Sequence, residues 1–109
     1  MIHSARMGYL TIPSGKKPSQ NLSDQAQTRF IDGFTIYPPA TLTGACKLQV
    51  TFKDDPEEGD WVDLPDGTVA VTVPVTIRPI ATAGLRVVSA SNEGADRKFG
   101  VIGFTSVPG

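Results

Sequence analysis

Hydrophobic and polar positions alternate with a period of two in several short segments of the chain. The clearest case is residues 46–52, in which every second residue is apolar and the residues between are polar. This alternation is typical of an antiparallel strand with one buried face. It predicts that one face points into a core, formed by Cys46, Leu48, Val50 and Phe52.

A second alternating segment, residues 69–77, is the strongest β signal in the sequence. Its predicted inward face consists of Val69, Val71, Val73, Val75 and Ile77. Pro74 lies in the opposite phase and has no amide proton for a sheet hydrogen bond. The segment therefore predicts either an edge strand or two strands bent at the corner of a sandwich.

Further short β-like segments follow one another at separations too short for crossover helices, and 11 glycines and 9 prolines mark the turns between them. One such turn is predicted at Pro65–Gly67, with Gly67 free to adopt a positive φ. The fold class predicted is all-β: an antiparallel two-sheet β-sandwich of Greek-key or jelly-roll type with seven or eight short strands. Residues 1–8 are predicted to be an extended N-terminal arm, and residues 9–109 a single sandwich domain.

Composition narrows the classes of partner. The net charge of −1 supplies no overall field that would draw the protein to nucleic acid or to a membrane, so neither is expected as a partner. The opening residues lack the apolar run of a signal peptide, and we expect a product made in a cytoplasm. Cys46 is the single cysteine, which excludes an internal disulfide and predicts a buried thiol.

The sequence contains few residues that could form a catalytic site. The single histidine, His3, lies in the predicted arm, so a nucleophile of the Ser–His–Asp or Cys–His type has no positioned base. A glycosidase needs two carboxylates on opposed walls of a cleft, whereas most of the acids here lie in one segment. We therefore expect no enzymatic activity and no cofactor.

Seven of the eleven acidic residues fall between Asp54 and Asp66. A charged run of this kind is typical of a solvated hairpin connection. A calcium site is the alternative, because the segment offers hard oxygen ligands and Gly59 for a tight bend. Pro56 stands where an EF-hand loop requires a ligand. The candidate calcium ligands are Asp54, Asp55, Glu57, Glu58 and Asp60.

Tyr9, Tyr37 and Trp61 are candidates for a sugar-stacking platform or for anchors of an interface, since such rings dominate binding surfaces. The alternative for each ring is ordinary packing in the core.

Four phrases of the sequence, between Tyr9 and Gly103, resemble a known type of protein. They are YLTIPSGKKPSQNL, IYPPATLTGACKLQVTFKDD, DWVDL and GLRVVSASNEGADRKFGVIG. Together they are similar to the small structural proteins of tailed-bacteriophage virions. The corresponding loop of those phage proteins is a short Asp-Gly turn, whereas this chain has DDPEEGD. The resemblance therefore implies no ligand at that loop.

The resemblance implies a non-enzymatic β-sandwich of the virion. We expect a head cement or decoration protein that binds the major capsid protein on the outer capsid surface and stabilises neighbouring subunits, as a dimer or trimer assembled in the host cytoplasm. The alternatives are a receptor- or carbohydrate-binding module of the tail or a fibre, and a connector or tail component. The candidate partner-binding residues are Ile2, Arg6, Met7, Tyr9, Tyr37 and Trp61.

Overall fold

The computed structural model describes residues 2–24, 32–77 and 82–106, and of these it describes residues 2–7, 24, 105 and 106 by their backbone alone. The described chain forms strands joined by loops and two short 3₁₀ turns, Leu22–Asp24 and Glu58–Asp60. The strands are β1 (Ile2–Ile12), β2 (Gly33–Tyr37), β3 (Cys46–Thr51), β4 (Val62–Val69), β5 (Val75–Ile77), β6 (Gly84–Ser89) and β7 (Arg97–Ser106).

The strands form two antiparallel sheets. One has the order β1-β7-β2-β5 and the other the order β4-β3-β6. The all-β, antiparallel two-sheet sandwich predicted from the alternation is confirmed, with seven strands in the described part of the chain. Within those same residues there is no helix whose length and apolar character would let it cross a membrane.

The core lies between the two sheets and receives inward-facing residues from both. Cys46 is 2% exposed, as the alternation predicted, and burial raises the pKa of its thiol. The 3₁₀ turn that begins at Leu22 closes one side of the core. The buried apolar residues are Leu10, Ile12, Leu22, Phe34, Ile36, Cys46, Leu48, Val69, Leu85, Val87, Phe99 and Val101.

The inward face predicted for residues 46–52 is correct except at its last position. Cys46 and Leu48 are buried and Val50 packs against the core, but Phe52 is 82% exposed. The strand ends at Thr51, which is buried and whose carbonyl accepts hydrogen bonds from the Ala83 amide and the Thr82 hydroxyl. The alternation therefore stops one residue before Phe52.

The run of residues 69–77 is divided between the two sheets. β4 ends at Val69, the chain turns through Thr72 (φ 62°), and β5 begins at Val75 in the other sheet. Of the two alternatives, two strands bent at a corner is the one observed. The inward prediction for Val71 and Val73 is wrong, since both lie in the corner turn and are exposed.

The predicted Pro65–Gly67 turn is an excursion within β4 and does not reverse the chain. Lys47 pairs with Thr68 and Gln49 with Asp63, so the residues between them bulge out of the register. Asp66 takes the positive φ of 60° that was expected at Gly67. Gly67 is buried, and a Cβ there would lie 2.9 Å from the Leu64 carbonyl oxygen, so the site favours glycine.

For residues 1–8 the sequence predicts an arm. In the structure, the backbone of residues 2–8 is the first part of β1 and pairs with residues 101–106 of β7. The register shifts between Arg6 and Gly8, and Gly8 adopts a φ of 123° that is open to glycine. β1 is therefore one bulged strand at the edge of the four-stranded sheet.

Candidate functional site

Two tyrosines flank a bare stretch of backbone on the outer face of the four-stranded sheet. Tyr9 of β1 and Tyr37 of β2 are both register partners of Gly100, which lies between them on β7. The two tyrosines are 41% and 45% exposed. Because neighbouring strands lie about 4.8 Å apart, the two tyrosine backbones are separated by about 9–10 Å. Gly100 has no side chain, so it forms a floor between the rings.

The strand alternation explains why these residues share a face. Leu10 and Ile36 are fully buried in the core. Successive residues of a strand point to opposite sides of the sheet, so the adjacent Tyr9 and Tyr37 point outwards. Their neighbourhood in space depends on the order of the strands, which places β7 between β1 and β2.

A shallow cavity of about 370 Å³ lies at this face and is lined by both rings, by Gly8 and Gly100, and by Lys98. The Lys98 ammonium lies 5.6 Å from the centre of the Tyr9 ring, which is within the range of a cation–π contact. The neighbouring row of the same sheet carries hydroxyl groups, with Thr35 and Thr76 joined by a 3.0 Å hydrogen bond. We call the surface formed by Tyr9, Tyr37, Lys98 and Gly100 the tyrosine face.

The outer face of the three-stranded sheet is different, because its polar side chains bind one another. Lys47 forms an ion pair of 2.6 Å with Asp63, which also accepts a 2.8 Å hydrogen bond from Gln49. The side-chain oxygen Oε1 of Gln49 accepts a 2.9 Å hydrogen bond from Nε of Arg86, and the Arg86 guanidinium binds both carboxylate oxygens of Glu58. The hydrogen bond from Gln49 and the Lys47 ammonium lower the pKa of Asp63.

Trp61 belongs to this polar side of the molecule. Its ring is partly buried, and the Arg86 guanidinium carbon lies 4.5 Å from the ring centre. It lines a polar cleft together with Asn21 and the acidic loop that follows Phe52. Of the three aromatic candidates, the structure brings Tyr9 and Tyr37 together and places Trp61 beside the other sheet.

The acidic loop is held by internal contacts. Asp60 pairs with Lys53 at 3.1 Å and accepts a 2.8 Å hydrogen bond from the Glu57 amide, while Glu58 is bound by Arg86. These contacts lower the pKa of Asp60 and of Glu58. Among the described residues, no three His, Cys, Asp or Glu side chains are placed to hold a metal ion. The structure therefore does not gather the calcium candidates Asp54, Asp55, Glu57, Glu58 and Asp60 into one site.

The remaining partner candidates lie on β1. The backbone of Ile2 pairs with Ser106 and that of Arg6 with Ile102, and Met7 lies in the bulge between Arg6 and Gly8. The side chains of Ile2, Arg6 and Met7 lie outside the described part of the structure. Their backbones share the edge strand that carries Tyr9.

The edges of the two sheets are covered to different extents. The amide side chain of Gln20 accepts a 2.8 Å hydrogen bond from Thr11 and donates a 3.2 Å bond to the Tyr9 carbonyl, as the peptide of an added strand would. Along β6 the cover is backbone: residues 17–19 run beside it, with hydrogen bonds of 2.8 Å to Val87 and from Ser89. The edge of β1 is thus covered by one side chain over Tyr9–Thr11.

The sequence reasoning missed a buried acid, Glu93, which is 1% exposed. Its carboxylate accepts four hydrogen bonds of 2.7–2.9 Å, from the amides of Thr43 and Gly44, the hydroxyl of Ser89 and Nε of Arg97. Burial of the carboxylate raises its pKa, but the four hydrogen bonds outweigh burial and lower the pKa of Glu93 to about 2.

The Glu93 backbone is bonded as well, since its carbonyl accepts a 2.7 Å hydrogen bond from Gly15 and its amide donates one of 3.0 Å to Lys16. One residue thereby ties together three loops at one end of the sandwich. The signal in the sequence was an acid in a small-residue turn with an arginine four positions later. The donors Thr43 and Gly44 lie far from Glu93 in the sequence, so no local sequence pattern indicates these hydrogen bonds.

No protein-family model matches the sequence, and no curated protein is significantly similar to it. Among solved structures, the SPBc2 prophage-derived protein YomS has a TM-score of 0.60 at 8% sequence identity, over 96% of both chains. The xylan-binding module CBM86 from Roseburia intestinalis has a TM-score of 0.49 at 10% identity, over 96% of this chain and 95% of that one. A cupin domain from Bordetella pertussis Tohama I has a TM-score of 0.47 at 13% identity, over 96% and 82%. The likeness to YomS shows that this chain shares its β-sandwich fold.

Proposed function

We propose that the chain is a non-catalytic structural protein of a tailed-bacteriophage particle. In this role it binds the outer surface of the capsid as a head cement or decoration protein and stabilises neighbouring capsid subunits. Two findings support a phage origin: the phrases between Tyr9 and Gly103 resemble phage virion proteins, and the fold is shared with a prophage-derived protein over 96% of both chains.

The observation that carries the proposal is the position of β1. It is an eleven-residue strand that has a strand neighbour on one side only, β7, among the residues that the structure describes. A long edge strand offers backbone donors and acceptors to which an extended segment of another chain can add. We infer that a segment of the capsid subunit adds to β1 near Ile2–Arg6, beyond the stretch that Gln20 covers.

Charge supports contacts between copies of the protein, as a dimer or trimer. The exposed Lys16 and Lys17 lie in the loop that binds Glu93 and Ser89, beside the start of β3. The exposed Asp54 and Asp55 follow the other end of β3. Because the two charged loops lie at opposite ends of the strand, the basic end of one copy can approach the acidic end of the next. Such contacts are weak singly and add up over many copies on a particle.

The first test compares particles of the encoding phage with and without the protein. We expect particles that carry it to release their genome at a higher temperature, because each bound copy stabilises the capsid state to which it binds. Equal release temperatures would overturn the cement role.

The second test locates the contact. A variant lacking residues 2–6 loses the pairing of those residues with β7 but retains Leu10 and Ile12 in the core. It should unfold at a lower temperature, remain folded at the temperature of the assay, and bind undecorated particles at least about tenfold more weakly in co-sedimentation. Phe52→Ser is the matched control, since it removes an exposed aromatic ring elsewhere and should bind normally.

Hydrogen exchange of the unmodified protein gives a measurement that does not depend on the folding of a variant. We expect amides of β1 to exchange more slowly when the protein is bound to particles. Unchanged exchange throughout β1, or full binding by the truncated variant, would exclude this strand as the contact.

A further inference from the structure

We propose that the tyrosine face binds a linear, β-1,4-linked oligosaccharide laid across strands β1, β7 and β2. This inference goes beyond the proposed capsid role, because it uses the outer face of the sheet and not the edge of β1. It does not depend on that role being correct.

The arrangement of the two rings favours a chain of sugars. Tyr9 and Tyr37 are partners of the same residue, Gly100, so they lie on one line that runs across the strands. Tyrosine presents an apolar ring and a polar hydroxyl, which suits the flat C–H face of an equatorially substituted pyranose. Two strand spacings separate the tyrosine backbones by about 9–10 Å, and a β-1,4-linked chain advances by roughly half that length per sugar. The backbone positions that carry the two rings are therefore spaced like alternate sugars of one such chain.

Gly100 keeps the surface low between the two tyrosines, so that a sugar chain can lie close to the sheet. A Cβ at that position would project into the gap, 3.6 Å from Cβ of Tyr37 and 4.0 Å from Cε1 of Tyr9. The contact of Lys98 with the Tyr9 ring helps to hold that ring in place and leaves ammonium protons for sugar hydroxyls. The Thr35 and Thr76 hydroxyls lie in the neighbouring row of the same sheet, level with Ile102.

The charge of the tyrosine face favours this ligand over a single-stranded nucleic acid, which also stacks on aromatic rings. Nucleic-acid grooves combine such rings with a track of cationic side chains. Among the described residues that line the cavity, Lys98 is the single charged one. A neutral polymer is therefore the better match.

The proposal is tested by titrating the full chain with cellohexaose and with N-acetylchitohexaose, observed by NMR or calorimetry. We expect at least one of them to bind with a Kd in the range of about 0.1–5 mM, as suits a shallow open site, and maltohexaose, which is α-linked, not to bind. Tyr9→Ala and Tyr37→Ala should each weaken binding by about tenfold, because each removes one stacking ring. Phe52→Ala is the matched control and should bind as the unmodified protein does.

Gly100→Val fills the gap while keeping both rings. The distances from the Cβ alone are ordinary van der Waals contacts, and a β-branched residue suits a strand, so the variant should fold; thermal unfolding checks this before binding is measured. We expect it to lose binding. Unchanged affinity in Gly100→Val or in both alanine variants would overturn the proposal, as would the absence of binding to both β-linked probes at about 20 mM.

Binding to undecorated particles separates this proposal from the capsid role. The double variant that carries both Tyr9→Ala and Tyr37→Ala should still co-sediment with particles but should not bind the oligosaccharide. If the double variant loses particle binding and no sugar binds, the tyrosine face belongs to the capsid contact and the oligosaccharide proposal is wrong.

Discussion

Nε of Arg97 donates a 2.9 Å hydrogen bond to the carboxylate of Glu93, whose side chain is fully buried. The remaining acceptor sites of the carboxylate are used by Thr43, Gly44 and Ser89. A buried charge is tolerated where it is both paired and hydrogen-bonded, and Glu93 meets both conditions. It therefore acts as a structural node for the loops at one end of the sandwich.

Glu93→Gln should destabilise the protein by about 3 kcal/mol, because the amide removes the negative charge that faces Arg97 and turns one acceptor into a donor that opposes the existing donors. Urea unfolding measures the change. Asp96→Asn is the matched control: Asp96 is exposed and accepts a hydrogen bond from the Ser14 amide, so the variant should lose less than about 1 kcal/mol of stability. Equal losses in the two variants would contradict the role of Glu93.

Glu93 should also make stability depend on pH in the acidic range. Its pKa is lowered from 4.5 to about 2 in the folded protein, so the folded state binds the proton less readily than the unfolded state. The contribution is fully present above pH 4.5, falls as the pH is lowered towards about 2, and amounts to about 3 kcal/mol. Urea unfolding at several pH values between 2 and 6 measures it.

The pH profile of Glu93→Gln isolates this contribution. Glu58, Asp60 and Asp63 also have lowered pKa values and act in the same direction, but they are largely at the surface and remain in the variant. The stability difference between the unmodified protein and Glu93→Gln should therefore shrink as the pH falls below 4.5. A difference that stays constant down to pH 2 would show that the carboxylate does not carry the effect.

Arg86→Lys should lower stability by about 1–2 kcal/mol although it keeps the charge. Lysine cannot reproduce the planar fork that bonds Gln49 and both oxygens of Glu58, nor the stacking on Trp61. We expect the fluorescence of Trp61, the single tryptophan, to change in the folded variant. Urea unfolding and emission spectra measure both effects.

Glu58→Gln is the control for Arg86→Lys. The Glu58 side chain is 80% exposed, so its ion pair is largely screened by solvent and its loss should change stability by less than about 1 kcal/mol. If Glu58→Gln cost as much as Arg86→Lys, the energy would reside in the ion pair and not in the buried stem and fork of Arg86.

Substitution by alanine should change the stability of the protein in opposite directions at two glycines of the four-stranded sheet. A Cβ at Gly33 would overlap the Phe104 ring and lie 2.5 Å from the Ile77 carbonyl oxygen, so Gly33→Ala should cost at least about 2 kcal/mol. At Gly100 a Cβ makes only ordinary contacts, and Gly100→Ala should be neutral or stabilise the strand by up to about 1 kcal/mol. Thermal unfolding of the two variants tests this contrast, and equal behaviour would contradict the packing described around Gly33.

The alternation of residues was sufficient to predict which faces of the strands are buried. Cys46 and Leu48 point inwards because each belongs to a continuous strand between two sheets. The same rule fails at Phe52 and Val73, because a strand end and a corner turn break the period. Where a strand stops is decided by contacts such as those of Thr51 with Thr82 and Ala83, which come from a distant part of the chain.

The candidate site was predictable in part. Tyr9 and Tyr37 were identified as aromatic candidates from residue type, but their shared partner Gly100 follows from the strand order, which alternation does not contain. Glu93 was missed for the same reason, since Thr43 and Gly44 approach it only in the folded chain.

The pairing of β1 with β7 has a consequence for when the tyrosine face comes into existence. Tyr9 is made before Tyr37, and Tyr37 before Gly100, yet all three must meet in one row. Contacts between such distant positions form late because the intervening chain must first be ordered. A ribosome-bound precursor that ends before β7 therefore has two tyrosines on strands that are not yet neighbours of a common strand, and the tyrosine face forms only when β7 inserts between β1 and β2.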